Sequence, residues 1–126
     1  MLTTTTPTIE ANYKGLTHTR LQQVLDYIQT HLDSAEPTLG ERDLSLAELA
    51  ETLHLSPTYF ATAFKQALKV SPQQYVIQQR VERAKLMLSK TDLAIADIAL
   101  QVGFSSQSHL TQQFKRLTGM TPKQIR

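Results

Sequence analysis

The sequence of 126 residues predicts an all-α fold, with two helix-turn-helix subdomains joined by a long central helix and about seven helices in total. Apolar residues recur at spacings of three and four, as on one face of a helix, and no stretch sustains the alternation typical of a strand. Start and stop signals bound each helical stretch, and a pattern of two short helices occurs twice. These observations favour short helices built around one duplicated unit.

The predicted helices cover residues 18–33, 46–53, 57–67, 72–89, 95–102 and 106–117, with a last turn from residue 122. The first carries one apolar stripe, formed by Leu21, Val24, Leu25, Ile28 and Leu32. Ser45 and Glu48 are spaced as a capping box at the start of the second helix. At three further starts a hydroxyl side chain precedes a proline, which suits the first helical position: Ser56, Ser71 and Thr121. Gly103 and Gly119 mark predicted helix ends.

The chain divides into a terminal segment and one helical domain. Residues 1–16 are polar and Thr-rich, which indicates a flexible linker or a terminal extension of a longer chain. The domain covers residues 17–126 and consists of a first helix-turn-helix subdomain, a connecting helix and a second subdomain, over residues 17–70, 71–90 and 91–126. Pro37 and Gly40 predict a loop over residues 34–43 within the first subdomain.

Residues 46–56 repeat, with an offset of 49, as residues 95–105. Ala50 then matches Ala99, a small residue that lets two helices cross closely, and a turn at His54 matches Gly103. With one further residue of offset, the match extends from Phe60 and Leu110 to the two hydroxyl–proline pairs. The expected cores are Leu46, Leu49, Leu53, Phe60 and Phe64 in the first copy, and Ile95, Ile98, Val102, Leu110 and Phe114 in the second.

The composition excludes several classes of function. The chain has no cysteine, so it has no disulfide, no Cys-ligated zinc site, no thiol nucleophile and no iron–sulfur cluster. No apolar run approaches the ~18 residues of a membrane span and the start does not resemble a signal peptide, so a cytoplasmic location is expected. The four histidines lack metal-ligand spacing, and no Gly-rich phosphate loop is present. We therefore predict no enzyme activity, no catalytic residue, no metal and no cofactor.

Charge is distributed unevenly along the chain. The net charge is only +2, yet residues 1–54 carry three basic and eight acidic side chains, a sum of −5. Residues 55–126 carry ten basic and three acidic side chains, a sum of +7. The asymmetry is consistent with a polyanionic partner for the second half, or with an ordinary solvated helical surface.

Three stretches carry a family resemblance: DLSLAELAETLHLSPTYFATAFK, SPQQYVIQQRVERAKLML and IADIALQVGFSSQSHLTQQFKRLTGMTP. They resemble the DNA-binding domain of AraC/XylS-type bacterial transcription regulators over about 105 residues. The resemblance implies two helix-turn-helix units that bind double-stranded promoter DNA specifically. RNA polymerase is a second candidate partner. Many members also carry an upstream effector-binding domain, which is absent from this sequence.

The length of the central helix is consistent with two helix-turn-helix units that read successive major-groove segments. At ~1.5 Å per residue, its 18 predicted residues span about 27 Å, comparable to the ~34 Å of one turn of B-DNA.

Two departures from the family pattern concern helix ends. Lys69 stands where glycine is usual, so either the turn closes differently or Lys69 adopts a left-handed backbone. Ala94 stands where a hydroxyl cap is common, with Thr91 or Asp92 as candidate substitutes.

The resemblance assigns base reading to the second helix of each unit. In the first unit the outward positions are Thr58, Ala61 and Thr62, and in the second they are Gln107, Ser108, Thr111 and Gln112. Gln can bond bidentately to adenine, whereas Thr and Ala methyl groups can contact a thymine methyl. The first unit is therefore expected to read by apolar contact and DNA shape. The candidate phosphate contacts are Lys65, Lys69, Arg80, Arg83, Lys115, Arg116 and Lys123.

Two alternatives remain open from the residues. Arg80 and Arg83 have a second interpretation, in which either pairs with Glu82 or Asp97 instead of with a phosphate. The alternative function for the whole chain is a helical protein-interaction module without DNA binding, with the acidic first helix as its docking face.

Overall fold

A computed structural model describes residues 16–33 and 44–126, and these ranges contain seven α-helices and no strand. The helices are α1 (His18–Asp33), α2 (Leu46–Thr52), α3 (Pro57–Leu68), α4 (Pro72–Lys90), α5 (Ile95–Gln101), α6 (Gln107–Thr118) and α7 (Pro122–Ile125). Every boundary lies within one residue of its predicted position. The predicted all-α class and helix order are therefore confirmed.

Hydroxyl caps explain why most of these helices begin where they do. Five helices start after a side-chain oxygen that accepts a hydrogen bond, at 3.1–3.2 Å, from the backbone N–H three residues later: Ser45, Ser56, Ser71, Ser106 and Thr121. Such a bond satisfies an N–H that has no partner within the helix. At α7 the box is complete, because the Gln124 side chain accepts from the Thr121 N–H at 2.8 Å.

Two predicted caps differ in the structure. The Glu48 carboxylate does not bond to the Ser45 N–H but accepts from the Leu44 N–H, at 3.0 Å, and from the Tyr27 hydroxyl. Ala94, before α5, has no side-chain cap, and neither candidate substitute supplies one. The Thr91 hydroxyl instead donates to the carbonyl of Met87, at 2.8 Å, because it lies directly after the last turn of α4.

The described residues form two compact units. Unit 1 consists of residues 16–29 and Leu44–Tyr75, and unit 2 of residues 30–33 and Val76–Arg126. The helix predicted as a connector, α4, contributes its first turn to unit 1 and the rest to unit 2. The predicted loop and the predicted linker lie outside the described residues, except that Leu16, the last linker residue, is buried.

Each unit has its own apolar core. The buried side chains of unit 1 are Leu16, Val24, Ile28, Leu44, Leu49, Ala50, Leu53, Phe60, Ala63, Phe64 and Pro72. Those of the unit 2 cluster are Val81, Ala84, Leu88, Ile98, Ala99, Val102, Phe104, Leu110 and Phe114. Eight of the ten predicted core residues of the two copies are fully buried, and the first residue of each set is half-buried.

Candidate nucleic-acid interface

The turn between the two helices of each motif is built by the same backbone hydrogen bond. In unit 1 the Leu55 N–H donates to the Ala50 carbonyl at 3.0 Å, and in unit 2 the Phe104 N–H donates to the Ala99 carbonyl at 2.9 Å. Ala50 and Ala99 are completely buried, as expected for small residues where two helices cross. The backbone of the motif is therefore duplicated as closely as the sequence predicts.

The residues that reverse the chain are left-handed in both units but differ in type. Within the turn, His54 has φ 58° and Gly103 has φ 101°. At the end of the second helix, Lys69 has φ 69° and Gly119 has φ 85°. The N–H groups of Lys69 and Gly119 each bond, at 2.8 Å, to the carbonyl four residues earlier. Of the two predicted outcomes at Lys69, the structure has the left-handed backbone.

The candidate reading face of unit 1 is small and has little hydrogen-bonding capacity. Thr58 and Thr62 are exposed on α3, and Ala61 between them is half-buried. The Thr62 hydroxyl donates to the Thr58 carbonyl at 3.1 Å, so its hydrogen is already used within the helix. What this face offers a ligand is mainly methyl groups and hydroxyl oxygens that can accept.

The candidate reading face of unit 2 is polar and concave. The four predicted base-reading residues of α6 line one open depression of about 550 Å³: Gln107, Ser108, Thr111 and Gln112. Three of them are exposed and Thr111 is half-buried. Two side-chain amides and two hydroxyls therefore share one surface, and each amide presents both donors and an acceptor.

Most of the predicted phosphate contacts lie where solvent and ions can reach them. Five are exposed: Lys65, Lys69, Lys115, Arg116 and Lys123. The guanidinium of Arg116 is held in place by Gln113, whose Oε1 accepts from Nε at 3.0 Å and from Nη2 at 2.7 Å. Arg83 is half-buried and makes contacts within the chain.

Arg80 has a different environment from the other predicted phosphate contacts. It is half-buried, and a Cβ added to Gly103 would lie only 2.6 Å from its Nε and 2.8 Å from its Cζ. Burial lowers the pKa of the Arg80 guanidinium from its usual value. The carboxylate of Glu82, one of its two alternative partners, lies 3.5 Å from Lys85 Nζ. Arg80 therefore contacts the turn that precedes α6.

The sequence analysis missed the corresponding residue of unit 1. The Nη2 of Arg20 donates at 2.5 Å to the carbonyl of Leu53, which ends α2. With an offset of 60, RLQQVLDYI at Arg20 lies over RVERAKLML at Arg80. The same offset matches three pairs of buried residues: Leu16 with Val76, Val24 with Ala84, and Ile28 with Leu88. This second offset is the signal that could have identified Arg20.

Other kinds of site are not evident in the described ranges. Within residues 16–33 and 44–126, no group of three or more His, Asp or Glu side chains could hold a metal ion. None of the helices in this part of the chain is both long enough and apolar enough to cross a membrane. The candidate surfaces for a ligand are the second helices of the two motifs and their cationic flanks. Fold and surface together define a protein with two helix-turn-helix units.

Comparisons with known proteins agree with this class. A family model described as a helix-turn-helix domain matches residues 49–126. An uncharacterized HTH-type transcriptional regulator of Staphylococcus aureus is 40% identical over 119 residues, which cover 94% of this chain and 15% of that relative. The chain thus spans about a seventh of the length of the curated relative that it matches.

Two solved structures have the same fold. The C-terminal domain of AraT, a response regulator from Geobacillus stearothermophilus, matches with a TM-score of 0.73 and 33% identity over 84% of this chain and 82% of that one. The DNA-binding domain of AdpA, a global transcriptional factor in complex with a target DNA, matches with a TM-score of 0.72 and 26% identity, covering 82% and 86%.

The chain belongs to this helix-turn-helix family. The predicted resemblance to AraC/XylS-type DNA-binding domains is confirmed. The alternative of a protein-interaction module finds no support in the comparisons. The individual base and phosphate contacts remain predictions.

Proposed function

We propose that this chain binds double-stranded promoter DNA sequence-specifically and thereby regulates transcription, with α3 and α6 as its two reading helices. The observation that carries the proposal is the depression on α6, where Gln107, Ser108, Thr111 and Gln112 converge on the second helix of a helix-turn-helix motif. In that motif the second helix enters the major groove, where Gln bonds bidentately to adenine and Ser or Thr bonds to several bases. The proposed role is non-catalytic.

The two units are proposed to read DNA by different means. Unit 2 supplies hydrogen bonds from α6, whereas unit 1 supplies methyl contacts and a sensitivity to DNA shape from Thr58, Ala61 and Thr62. We retain the prediction that the helices enter successive major-groove segments. The preferred sequence then has two blocks spaced by about one turn of the duplex, roughly 10–10.5 base pairs.

The cationic flanks are proposed to bind the backbone without reading it. The exposed set is Lys65, Lys69, Lys115, Arg116 and Lys123, and Arg83 is a half-buried sixth member. If about six phosphates are neutralised, log affinity should fall against log salt concentration with a slope near −5. Each Lys→Gln substitution in the set should reduce the steepness of that slope by about 1.

The test is a salt series of binding measurements on wild type, Lys115→Gln and Lys90→Gln. Lys90 is an exposed lysine that ends α4 and is outside the predicted set, so it serves as the charge-matched control. We expect a steep slope for wild type, a shallower one for Lys115→Gln and a wild-type slope for Lys90→Gln. Weak binding that hardly changes with salt would refute DNA binding by this surface.

The proposal also includes RNA polymerase as a partner and the cytoplasm as the location. A regulator bound at a bacterial promoter acts where RNA polymerase binds, and chromosomal DNA in bacteria lies in the cytoplasm. Transcription in vitro from a promoter that carries the selected site, with and without the chain, tests the first point. A change in transcript level that requires the site is the expected result.

A further inference from the structure

Arg20 and Arg80 are equivalent residues in two helices that the offset of 49 does not pair. Both lie on the helix that precedes the two-helix motif of their unit, 60 positions apart, in α1 and α4. Both are half-buried and aligned with matching buried neighbours one turn before and one turn after. The repeat in this chain is therefore a three-helix unit, and an arginine is part of it.

Each guanidinium reaches the turn of its own unit. Arg20 Nη2 donates to the Leu53 carbonyl at 2.5 Å, and Leu53 ends α2. Arg80 lies against Gly103, the residue that follows the end of α5, so closely that a Cβ there would lie 2.6 Å from Nε. Gly103 leaves room for this flat group because it has no Cβ, whereas its counterpart His54 carries a side chain.

The environment of these arginines does not resemble that of a backbone-binding cation. The Nε atoms of both are buried and have no hydrogen-bond partner within the described part of the chain. Residues that bind phosphate present their N–H groups to solvent, as Lys115 and Lys123 do here. A buried polar group that is only partly satisfied calls for an explanation in a native structure, and the contact with the turn supplies one.

The turn is directly connected to the reading helix. Gly103 is separated by only two residues from Ser106, the cap of α6, and Gln107 and Ser108 follow at once. Because only two residues separate Gly103 from this cap, a displacement of the turn shifts the first turn of α6. A base contact tolerates donor–acceptor distances of only about 2.7–3.2 Å. Small shifts of the turn would therefore break it.

We infer that Arg20 and Arg80 are positioning residues, one per unit, which fix the turn and thereby the placement of the reading helix against the bases. They act through Leu53 and Gly103 and touch no DNA. This assignment replaces the predicted phosphate contact of Arg80, and it adds a residue from the acidic half of the chain. It rests on the proposed function, because it specifies how base reading is maintained.

The experiment measures affinity for a preferred duplex and for two duplexes with one base changed in either block, each over a salt series. The variants are Arg80→Lys and Arg80→Gln, Arg20→Lys and Arg20→Gln, with Lys115→Gln as the phosphate-contact comparison. The folded fraction of each variant is measured under the same conditions by circular dichroism. Gly103→Ala is included because it displaces the guanidinium while leaving the charge of Arg80 unchanged.

We expect discrimination to fall about tenfold in one block only, that of unit 2 for Arg80 and that of unit 1 for Arg20. The Lys variants should lose as much as the Gln variants, since an ammonium lacks the flat guanidinium, and the salt slope should stay at the wild-type value. Gly103→Ala should reproduce the Arg80 result. If the Arg80 variants do not fold, the Arg20 variants decide by the same comparison in the block of unit 1.

Two results would overturn the assignment. Rescue by Arg80→Lys, with a slope shallower by about 1 in Arg80→Gln as in Lys115→Gln, would make Arg80 a phosphate contact. An equal loss in both blocks that follows the folded fraction would make both arginines merely structural. Failure of the proposed function is distinct from either, because wild type itself would then show no base discrimination.

Discussion

The two units share the hydrogen bond that builds the turn, but they differ in side chains and, by one residue, in the length of the link to the second helix. Their turns have matching hydrogen bonds within 0.2 Å, and the second helices close with bonds of the same length. Unit 2 uses glycine at both left-handed positions and unit 1 uses His54 and Lys69. Caps and core therefore determine this motif, whereas the residue at each left-handed position can vary with only a modest loss of stability.

The reading faces differ more than the scaffolds do. α6 presents two amides and two hydroxyls around one depression, and α3 presents two threonines, one of which donates to its own helix. The duplication therefore preserved the positions and changed the chemistry.

Gly103→Ala should destabilise the chain by about 2–3 kcal/mol, because an L-residue at φ 101° is strained and the new Cβ displaces Arg80. The matched control is His54→Ala, which exchanges one L-residue for another at the equivalent position. It should change the free energy of unfolding by no more than about 0.5 kcal/mol. Urea denaturation of both variants gives the comparison, and equal losses would show that the turns are not distinguished by glycine.

At the starts of α2 and α5, two substitutions should change stability in opposite directions. Ser45→Ala removes the bond to the Glu48 N–H and should cost about 1 kcal/mol. Ala94→Ser introduces a hydroxyl at the matching position, where the backbone is already extended (φ −63°, ψ 147°), and should stabilise by about 0.5–1 kcal/mol. Thermal unfolding measures both. A loss of stability in Ala94→Ser would show that α5 starts differently from α2.

The ends of α3 and α6 provide a second pair. Lys69→Gly should stabilise by about 0.5–1 kcal/mol, since relief of left-handed strain exceeds the entropy gained by the unfolded chain. Gly119→Ala should destabilise by about 1 kcal/mol from backbone strain alone, because a Cβ there meets no atom within 4 Å. Urea denaturation measures the free energy of unfolding of both variants. Changes of the same sign in the two variants would argue against equivalent caps.

Unit 1 should also respond to alkaline pH through Tyr27. Burial, the hydrogen bond to Glu48 and the charge of Glu48 raise the pKa of Tyr27 to about 12, from 10.0. Because the folded pKa is the higher one, this stabilisation is complete below pH 10 and is lost as pH rises toward 12. The matching residue of unit 2 is Met87, which does not ionise.

Tyr27→Phe is the direct test of that dependence. The stability difference between wild type and Tyr27→Phe should favour wild type below pH 10 and shrink between pH 10 and 12. Urea midpoints of the two proteins at several pH values isolate Tyr27, because every other titrating group is common to both. A difference that stays constant over this range would show that the Glu48 contact does not depend on the tyrosine proton.

Local signals predicted most of the fold. Ser56 and Thr121 determine where a helix begins, and such signals depend only on neighbours in the chain. The contacts that escaped prediction join distant segments: Tyr27 with Glu48, Arg20 with Leu53, and Arg80 with Gly103. They depend on which helices pack together, and α1 lies outside the repeat of the two-helix motif.

The base and phosphate contacts depend on the bound duplex, and the protein sequence does not specify that duplex directly. The family resemblance assigned Gln107 and Gln112 to base reading, and the structure brings them to one depression. The charge pattern grouped Arg80 with the exposed lysines, since sequence carries its charge but not its burial. Charge and helical spacing therefore predicted the location of the candidate DNA-binding surface better than the role of each residue on it.

Selection of preferred sites from a random duplex pool tests whether the two units read bases by different means. Wild type should select two blocks, and Gln112→Ala should relax one position of one block by about 1–3 kcal/mol. Thr62→Ala should act on the other block and by less, since its hydroxyl hydrogen is already bonded within α3. A loss of affinity that is uniform over all sequences in Gln112→Ala would contradict unequal base reading by the two units.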